Sequence, residues 1–348
     1  MSIPHPMPDL VRDAPAISPE PIMQLAAAFQ GSKALLSAVE LGLFSELAQG
    51  PLPGEVLRQR LGLHGRAARD FLDALVALGL LERHDGRYAN TPHADLYLDR
   101  RKDTYVGGML ELWNARTYHH WGGLTAALRS GRPQHGVEGG NDFFLNLYRD
   151  SAALRRVLSA MTGLSRPVAA ALAERFDWRG CRSFVDVGTA EGALPVAIAE
   201  AHPHLAGIGF DLPPVRPHFE RAVRARGLGD RLRFHAGDFH REPLPAAEVL
   251  VMGHILHDWD LETKRALLAK AHDALPPGGT LIVYDQMIDD GRRENVSGLL
   301  MSLNMLVETD GGFDYTVADC LAWLGEAGFS RARAEPLHGP YTMVVARR

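Results

Sequence analysis

The chain has 348 residues, enough for two domains, and its content of 46% hydrophobic and 23% charged residues is typical of a globular protein. A net charge of −5 argues against a protein that mainly binds nucleic acid, and no apolar run approaches the roughly 18 residues of a membrane helix. The chain has only two cysteines, Cys181 and Cys320, which exclude a disulfide framework and indicate a reducing compartment. Together with the charge and the hydropathy, they predict a cytoplasmic protein without a nucleic-acid or membrane partner.

Residues 1–102 carry the pattern of a winged helix. The chain starts with a Pro-rich stretch at residues 1–14 that lacks the apolar core of a signal peptide. Apolar side chains then recur at three- and four-residue spacing, which predicts helices at residues 21–47, 55–61 and 66–80. The Asp85-Gly86 pair that follows predicts a tight hairpin. Helix, turn, helix and hairpin in this order predict an α-helical winged-helix domain.

The role of this domain depends on the charges of its helix at residues 66–80. Arg66 and Arg69 stand against Asp70 and Asp73, so the polar face is charge-balanced. A helix that reads a DNA groove presents several basic and amide side chains on one exposed face. We therefore predict a homodimerisation domain, while a winged-helix regulator that uses the rest of the chain as a cofactor sensor remains an alternative.

Residues 103–178 predict a helical connector between two domains. Loop composition interrupts the connector at residues 131–133 and 136–140, and the stretch is rich in aromatic and methionine side chains. Most of these side chains are expected in the core. Because a helical connector is a natural wall for a cleft, we expect some of them, Met161 among them, to line a substrate pocket.

In residues 179–348 the sequence pattern differs, and short apolar runs alternate with helical stretches. Strands are predicted at residues 183–187, 206–211, 232–235, 249–252 and 280–285. Helices are predicted at residues 194–201, 216–226, 262–274 and 318–328. Two last strands, at residues 332–336 and 341–346, predict an antiparallel hairpin. The alternation predicts an α/β fold, a Rossmann-like parallel sheet covered by helices on both faces.

A glycine turn follows the first predicted strand of this sheet. Gly188 and Gly192 lie between strand and helix, a spacing that NAD, FAD and S-adenosylmethionine sites share. Asp186 stands two residues before the first glycine, and Glu191 adds a second negative charge. These acids would repel a pyrophosphate but attract a sulfonium or amino group. The turn therefore predicts S-adenosylmethionine rather than a dinucleotide.

The next two strand ends carry further candidates for cofactor binding. Asp211 lies 23 residues after Gly188, near the offset of ~20 residues at which an acid reaches ribose hydroxyls. Leu212 beside it can pack on adenine. Asp238 and Phe239, after the third strand, are placed to bind the adenine amino group and to stack on its ring.

Three motifs give the chain a resemblance to a known family. They are Phe-Asp-Leu-Pro at 210–213, Gly-Asp-Phe at 237–239 and His-Ile-Leu-His-Asp-Trp-Asp at 254–260. The sequence resembles the O-methyltransferases related to caffeic acid and hydroxyindole O-methyltransferases, whose bacterial branch acts in secondary metabolism. The likeness covers nearly the whole chain. It implies a class I methyltransferase sheet, an N-terminal dimerisation domain and a small aromatic acceptor.

The resemblance also implies roles for individual residues. His257 takes the position of the general base, with Asp285 and Asp314 as the acids beside it, and Met161 and Met305 take positions that hold the acceptor. The cofactor contacts carried over by position are Gly188, Asp211, Leu212, Asp238 and Phe239, and Gly253 stands where plant members carry a lysine near the cofactor.

Some residues depart from the family pattern. Thr189 and Ala190 replace glycines of the cofactor turn, which makes the turn less permissive. Asp285 and Asp314 stand where glutamate is common, so each acid is shorter by one methylene group. These departures leave the cofactor prediction unchanged but give no particular substrate.

The predicted reaction is methyl transfer to a hydroxyl of a phenol or aromatic acid. A phenol has a pKa near 10, about 3.5 units above that of imidazole, so a histidine within hydrogen-bond reach must remove its proton as the new bond forms. An acid bonded to the other ring nitrogen of His257 would fix its tautomer. Further acceptor-binding candidates are Trp259, Met301 and Asn304, although for each methionine a role as core filler is the alternative.

Two other interpretations of the motif remain open. The same site could transfer the methyl group to carbon on an activated aromatic or enol. The spacing of His254, His257 and Asp258 also suits a divalent ion, since imidazole and carboxylate both bind such ions. No compact third ligand set is evident in the sequence, so we predict no metal.

Overall fold

The computed structural model describes residues 17–134, Tyr148 and residues 151–348. The predicted Pro-rich start at 1–14 and the predicted loop at 136–140 lie outside the described residues. No helix within the described part of the chain is long and apolar enough to cross a membrane.

The N-terminal unit combines a helix–turn–helix with a small sheet. Its helices are α1 (Glu20–Glu40), α2 (Leu43–Leu47), α3 (Gly54–Arg60), α4 (Ala68–Ala77) and α5 (Pro92–Leu98), and its strands are β1 (Leu52–Pro53), β2 (Leu81–His84) and β3 (Arg87–Asn90). The strand order is β1-β3-β2, with the predicted hairpin between β2 and β3. The helix predicted at residues 21–47 is two helices, because Gly42 adopts a left-handed φ of 74° between them.

One face of α1 is apolar and open to solvent. Ile22, Met23, Leu25 and Phe29 are 55% to 80% exposed, whereas Leu36 and Val39 near the end of the helix are buried. Exposed apolar patches of this kind mark protein–protein contact surfaces. This face suits the predicted role of the unit in dimerisation.

Most of the described part of the connector is helical, as predicted. It comprises α6 (Gly107–Leu112), a π-helical segment (Trp113–Thr117), α7 (Tyr118–His120), a 3₁₀ turn (Trp121–Gly123), α8 (Leu124–Ser130) and the long α9 (Ser151–Arg175). Helices α6 and α9 pack closely, since a Cβ on Gly108 would lie 3.3 Å from the backbone nitrogen of Ala160. The sequence did not predict the π-helical segment, a feature that often accompanies functional sites.

The C-terminal unit is a seven-stranded sheet between helices. Its strands are β4 (Ser183–Val187), β5 (Ala206–Asp211), β6 (Leu232–Ala236), β7 (Val249–Gly253), β8 (Thr280–Asp285), β9 (Ser330–His338) and β10 (Tyr341–Arg347), in the order β6-β5-β4-β7-β8-β10-β9. Strands β4 to β8 are parallel, and β10 lies antiparallel between β8 and β9. The predicted parallel sheet and terminal hairpin are both confirmed.

Helices cover both faces of this sheet. They are α10 (Ala193–Ala201), α11 (Arg216–Ala225), α12 (Leu261–Ala274), α13 (Val296–Glu308) and α14 (Val317–Glu326). One core includes Phe184 and Phe219, and a second includes Leu250 and Leu268. Helix α13 was not predicted.

The order of the strands determines where a ligand can bind. Strand β4 pairs with β5 on one side and with β7 on the other, so the chain direction across the sheet reverses at β4. In open parallel sheets, ligands bind at such a reversal, beyond the carboxyl ends of the strands. The turns after β4, β5, β6 and β7 therefore face the same crevice.

Candidate active site

A cavity of about 360 Å³ opens at this crevice. Of the predicted cofactor residues, the cavity is lined by Asp186, Gly188, Asp211, Leu212, Asp238, Phe239 and Gly253. Of the predicted acceptor residues, it is lined by Met161, Trp259, Met301, Asn304 and Met305. His257 lies on the same wall. A single cavity thus brings the strand ends, the connector and α13 together.

The turn after β4 depends on backbone conformations that favour glycine. Gly188 has a φ of 73°, and a Cβ there would lie 2.3 Å from Cδ1 of Ile255. Ala190 adopts a φ of 49° although it is not glycine, and its N–H donates to Oδ2 of Asp211 at 2.9 Å. This hydrogen bond helps to hold the turn in place despite the strain that the sequence predicted.

Gly192 lies between β4 and α10, as the sequence predicted. It precedes α10 with a φ of 84°, and a Cβ there would meet Cδ2 of Phe219 at 2.8 Å. Gly192 is not among the residues that line the cavity. The absence of a side chain at this position allows the close approach of the turn to Phe219, and contact of Gly192 with the cofactor stays a prediction.

Two carboxyl groups lie in the crevice, Asp186 buried and Asp211 partly buried. Burial raises the pKa of Asp186 to about 7 and the pKa of Asp211 to about 6. The oxygens of Asp211 accept hydrogen bonds from the N–H groups of Ala190 and Leu212, at 2.9 and 2.7 Å. Negative charge in such a buried place is stabilised by a cationic ligand.

An aromatic platform forms beyond the end of β6. The rings of Phe239 and His240 pack against Trp259, with centroid distances of 5.7 and 4.3 Å. Lys270 donates from α12 to the carbonyl oxygens of Phe239 and His240 at 2.6 and 3.2 Å, which fixes the turn. The sequence did not single out His240. The platform and the neighbouring Asp238 suit an adenine ring, and together with the buried acids they fit S-adenosylmethionine.

His257 sits in a 3₁₀ turn (Leu256–Asp258) and is 7% exposed. Its Nδ1 lies 3.3 Å from Oδ1 of Asp314 and 3.9 Å from Oδ1 of Asp285, both fully buried carboxylates behind the cavity wall. Its Nε2 lies 3.6 Å from Oδ1 of Asp258, which itself lines the cavity. The two predicted partner acids therefore flank one ring nitrogen, and a third acid flanks the other.

The charges around His257 favour its protonated form. Burial alone lowers the pKa of His257, but the carboxylates of Asp285, Asp258 and Asp314 outweigh burial and raise it to about 10. Burial raises the pKa of Asp285 to about 7, although its Oδ2 accepts a hydrogen bond from the hydroxyl of Tyr315 at 2.6 Å. The imidazolium and the acids thus stabilise each other in a low-dielectric environment.

A possible metal site falls within the same cluster. Among the described residues, His254, His257 and Asp285 each offer a ligand atom, all within 4.8 Å of one another. Burial lowers the pKa of His254 to about 3, so its ring is neutral. The acids already face the imidazolium of His257 and the buried ammonium of Lys264, so a divalent ion would add a third cation. The absence of a metal stays a prediction.

The acceptor side of the cavity holds a charged pair that the sequence did not single out. Arg116, in the π-helical segment, lies 2.7 Å from Glu308 on α13, and His120 lies 3.0 Å from the same carboxylate. Asn304, one turn earlier, accepts a hydrogen bond from the indole N–H of Trp121 at 2.9 Å. A contact of Asn304 with an acceptor would therefore use its amide NH₂ group.

Comparisons with known proteins agree with this geometry. Residues 121–330 match a family described as an O-methyltransferase domain, and residues 23–100 match an O-methyltransferase dimerisation domain. The tetracenomycin polyketide synthesis 8-O-methyl transferase TcmO of Streptomyces glaucescens is 48% identical over 95% of this chain and 97% of its own. The N,N-dimethyltransferase OxyT of Streptomyces rimosus is 42% identical, over 92% and 94%. The crystal structure of human N-acetylserotonin methyltransferase in complex with S-adenosylmethionine superposes with a TM-score of 0.87 at 28% identity, over 96% and 99%.

Proposed function

Because the chain belongs to the O-methyltransferase family and is an S-adenosylmethionine-dependent O-methyltransferase, we propose that it methylates a hydroxyl of a small aromatic molecule with His257 as general base. The observation that carries this proposal is the position of His257. It lies on the wall of a cavity that also holds the strand ends, and Asp314 lies 3.3 Å from its Nδ1.

The proposed reaction is a displacement in which the acceptor oxygen forms the new bond. S-adenosylmethionine supplies a methyl group on a positively charged sulfur. His257 takes the hydroxyl proton as the oxygen–carbon bond forms, and the cluster then holds that proton as an imidazolium. Asp314 and Asp285 orient the ring and stabilise its charge. The cavity positions the two reactants, and such positioning contributes a large part of the rate.

His257 must be neutral before it accepts the proton. The residues of the site raise the pKa of His257 to about 10, which favours the imidazolium. The positive charge of a cofactor bound beside Asp186 disfavours the imidazolium form of His257, because like charges repel strongly in a buried site. We propose that binding of the cationic cofactor lowers the pKa of His257 into the working range.

The cavity wall supports an aromatic acceptor. Met161, Met301 and Met305 offer polarizable sulfur, and Trp259 offers a flat apolar surface. The similarity to TcmO, whose name places it in polyketide synthesis, extends this proposal to phenolic polyketides of secondary metabolism. The Arg116–Glu308 pair is our candidate for contact with a polar substituent of the acceptor.

A second candidate is methyl transfer to nitrogen. It is favoured by one observation, the 42% identity to OxyT, which is named an N,N-dimethyltransferase. Transfer to carbon remains the alternative that the sequence suggested. NMR of the product separates a methoxy group from an N-methyl or C-methyl group.

The proposal also covers the domain bounds, the oligomeric state and the location of the protein. We propose a dimerisation domain at residues 1–102, a connector at 103–178 and a cofactor domain at 179–348. The exposed apolar face of α1 and the match to a dimerisation domain support a homodimer. A cytoplasmic enzyme without a nucleic-acid partner remains our expectation, and salt-dependent retention on DNA would favour a regulator instead.

The substitution His257→Ala tests the assignment of the base. We expect turnover of a phenolic acceptor to fall by roughly 100-fold or more, because the proton no longer has an acceptor in reach. The Kd of S-adenosylmethionine, measured by calorimetry, should not rise, since the cofactor residues are intact and the substitution removes a positive charge that opposes the cofactor. His338→Ala, an exposed histidine on β9, is the matched control. Nearly unchanged turnover in His257→Ala would refute the assignment.

A further inference from the structure

A lysine is buried close to Asp258, Asp285 and Asp314, the three acids around His257, which we call the acid cluster. Lys264 on α12 is 0% exposed, and it shares the buried face of the helix with Leu267, Leu268 and Ala271. Lysines are almost never fully buried unless their charge meets a partner. The reaction as described so far gives this lysine no role.

The surroundings of Lys264 hold its ammonium group in one place. Its Nζ donates a hydrogen bond to the carbonyl oxygen of Trp259, two residues after His257. The same nitrogen lies 3.4 Å from the ring centroid of Phe313 and 5.8 Å from that of Tyr315. Aromatic faces attract a cation, and a desolvated site makes that attraction stronger. The ammonium group therefore lies between the turn that carries His257 and the segment that carries Asp314.

The acids that face His257 also act on Lys264. Burial lowers the pKa of Lys264 to about 8, while the carboxylates of Asp285, Asp314 and Asp258 oppose that shift. Lys264 is thus largely protonated at neutral pH. Within the described chain no carboxylate oxygen forms an ion pair with it at 4.0 Å or less, so its charge acts on the cluster as a whole.

We propose that Lys264 is a positioning residue for methyl transfer, whose buried ammonium offsets the carboxylates around His257 and so lets that imidazole become neutral. This inference rests on the proposed role of His257. Three acids would otherwise hold the imidazolium too firmly for it to act as a base. The bond to the carbonyl of Trp259 adds a second effect, since it fixes the end of the turn that carries His257.

The charges around His257 come from four elements. The turn after β7 contributes His254 and Asp258, β8 contributes Asp285, the segment before α14 contributes Asp314 and Tyr315, and α12 contributes Lys264. His254 and Tyr315 are uncharged near neutral pH, because burial lowers the pKa of the first and raises that of the second. Lys264 is thus the cation that counters the acids whenever His257 is neutral.

Lys264→Met tests the proposal, because methionine keeps the length of the side chain and removes its charge. Turnover number is measured against pH at saturating S-adenosylmethionine and acceptor. Turnover falls at low pH as the base becomes protonated, and loss of a nearby cation raises the pKa of that base. We expect the acid limb of the profile to move up by about one pH unit, with rates at high pH close to the wild-type rates. Lys264→Arg should keep the wild-type profile.

Controls separate this outcome from a structural effect. Lys102→Met removes a lysine that pairs with Asp95 in the N-terminal unit, and it should leave the profile unchanged. If Lys264→Met does not fold, Lys264→Gln is the second neutral variant, and the shift is expected there. An unmoved acid limb, or a loss of turnover that is equal at every pH, overturns the proposal for Lys264. An active His257→Ala would instead overturn the assignment of the base, so the two failures are distinguishable.

Discussion

Replacing Asp186 with asparagine should remove a large part of the pH dependence of cofactor binding. Asp186 lies at the carboxyl end of β4 and is 5% exposed, and burial raises its pKa to about 7. Its carboxyl group is therefore mostly protonated at pH 6 before the cofactor binds. A cationic ligand favours the carboxylate, so binding must release that proton, and this release costs affinity at low pH.

The magnitude follows from the fraction of protein in which Asp186 is ionised. With a pKa of about 7, about one molecule in eleven is ionised at pH 6 and about three in four at pH 7.5. The apparent Kd of S-adenosylmethionine should therefore fall about eightfold between these two pH values through Asp186 alone. Asp211, whose pKa burial raises to about 6, should add about a further twofold.

Isothermal titration calorimetry measures both the affinity and the proton release. Titrations of wild-type protein and Asp186→Asn at the two pH values, in buffers of different ionisation enthalpy, give the number of protons released. Asp186→Asn should lose the eightfold contribution of Asp186 and retain those of Asp211 and His257, and S-adenosylhomocysteine, which lacks the positive sulfur, should show less dependence than the cofactor. Asp230→Asn, at an exposed position before β6, is the control. A pH dependence of the Kd that is as large in Asp186→Asn as in the wild-type protein would refute the reasoning.

Two further substitutions test the backbone of the site by urea denaturation. Gly253→Ala would place a Cβ 1.9 Å from Cζ of Tyr284, so we expect a free energy of unfolding lower by about 1–3 kcal/mol, the usual cost of overpacking. Unchanged stability there would contradict the packing of the ring over the glycine. Ala190→Gly removes the strain of a φ of 49° but raises the conformational entropy of the unfolded chain. We therefore expect an equal free energy of unfolding or a gain of up to about 1 kcal/mol. A clear loss of stability would mean that Ala190 is not strained.

The sheet could be predicted from the sequence almost residue by residue. The predicted bounds of β4, β5 and β8 match those observed, because strands buried on both faces are continuous apolar runs. An acid is the last or the second-last residue of all three strands, and these acids mark the carboxyl edge where we expect a ligand to bind. The local sequence was therefore sufficient to predict both the bounds of each strand and the end of the strand that faces the crevice.

Helix α13 shows where periodicity gives too little information. Its residues Met301, Asn304 and Met305 were predicted to bind the acceptor, and their spacing is helical, yet the helix itself was not predicted. One side of α13 faces the cavity and another side faces the core, so it has no continuous polar face to mark its period. The π-helical segment before α7 has no signal in the sequence at all.

Contacts across the sheet depend on register, which the sequence does not supply. Gly253 pairs with Tyr284 on the neighbouring strand, and the tyrosine ring fills the space over the glycine. The family resemblance implies that plant members carry a lysine at the position of Gly253. A longer side chain would need a smaller neighbour at position 284, so the two positions must be considered together.

The acid cluster shows the same limit for electrostatics. Asp258, Asp285, Asp314 and Lys264 come from separate segments, and the balance of their charges exists only once the chain is folded. One local signal was present, since Lys264 interrupts an otherwise apolar face that continues at Leu267 and Leu268. A charged residue at a core position predicts a buried partner, and here the direct partners are the carbonyl oxygen of Trp259 and the ring of Phe313.

Asp211 links the cofactor turn to the ligand that the turn is proposed to bind. One oxygen of its carboxylate accepts from the N–H of Ala190, whose left-handed conformation would otherwise be unfavourable, and the other accepts from the N–H of Leu212. A carboxylate has about four acceptor positions, so two remain for the ribose hydroxyls of the cofactor. Because the same group holds the turn and faces the ligand, the shape of the turn and the ionisation of Asp211 are coupled. The left-handed conformation of Ala190 is therefore tolerated through an acid that we also propose to bind the cofactor.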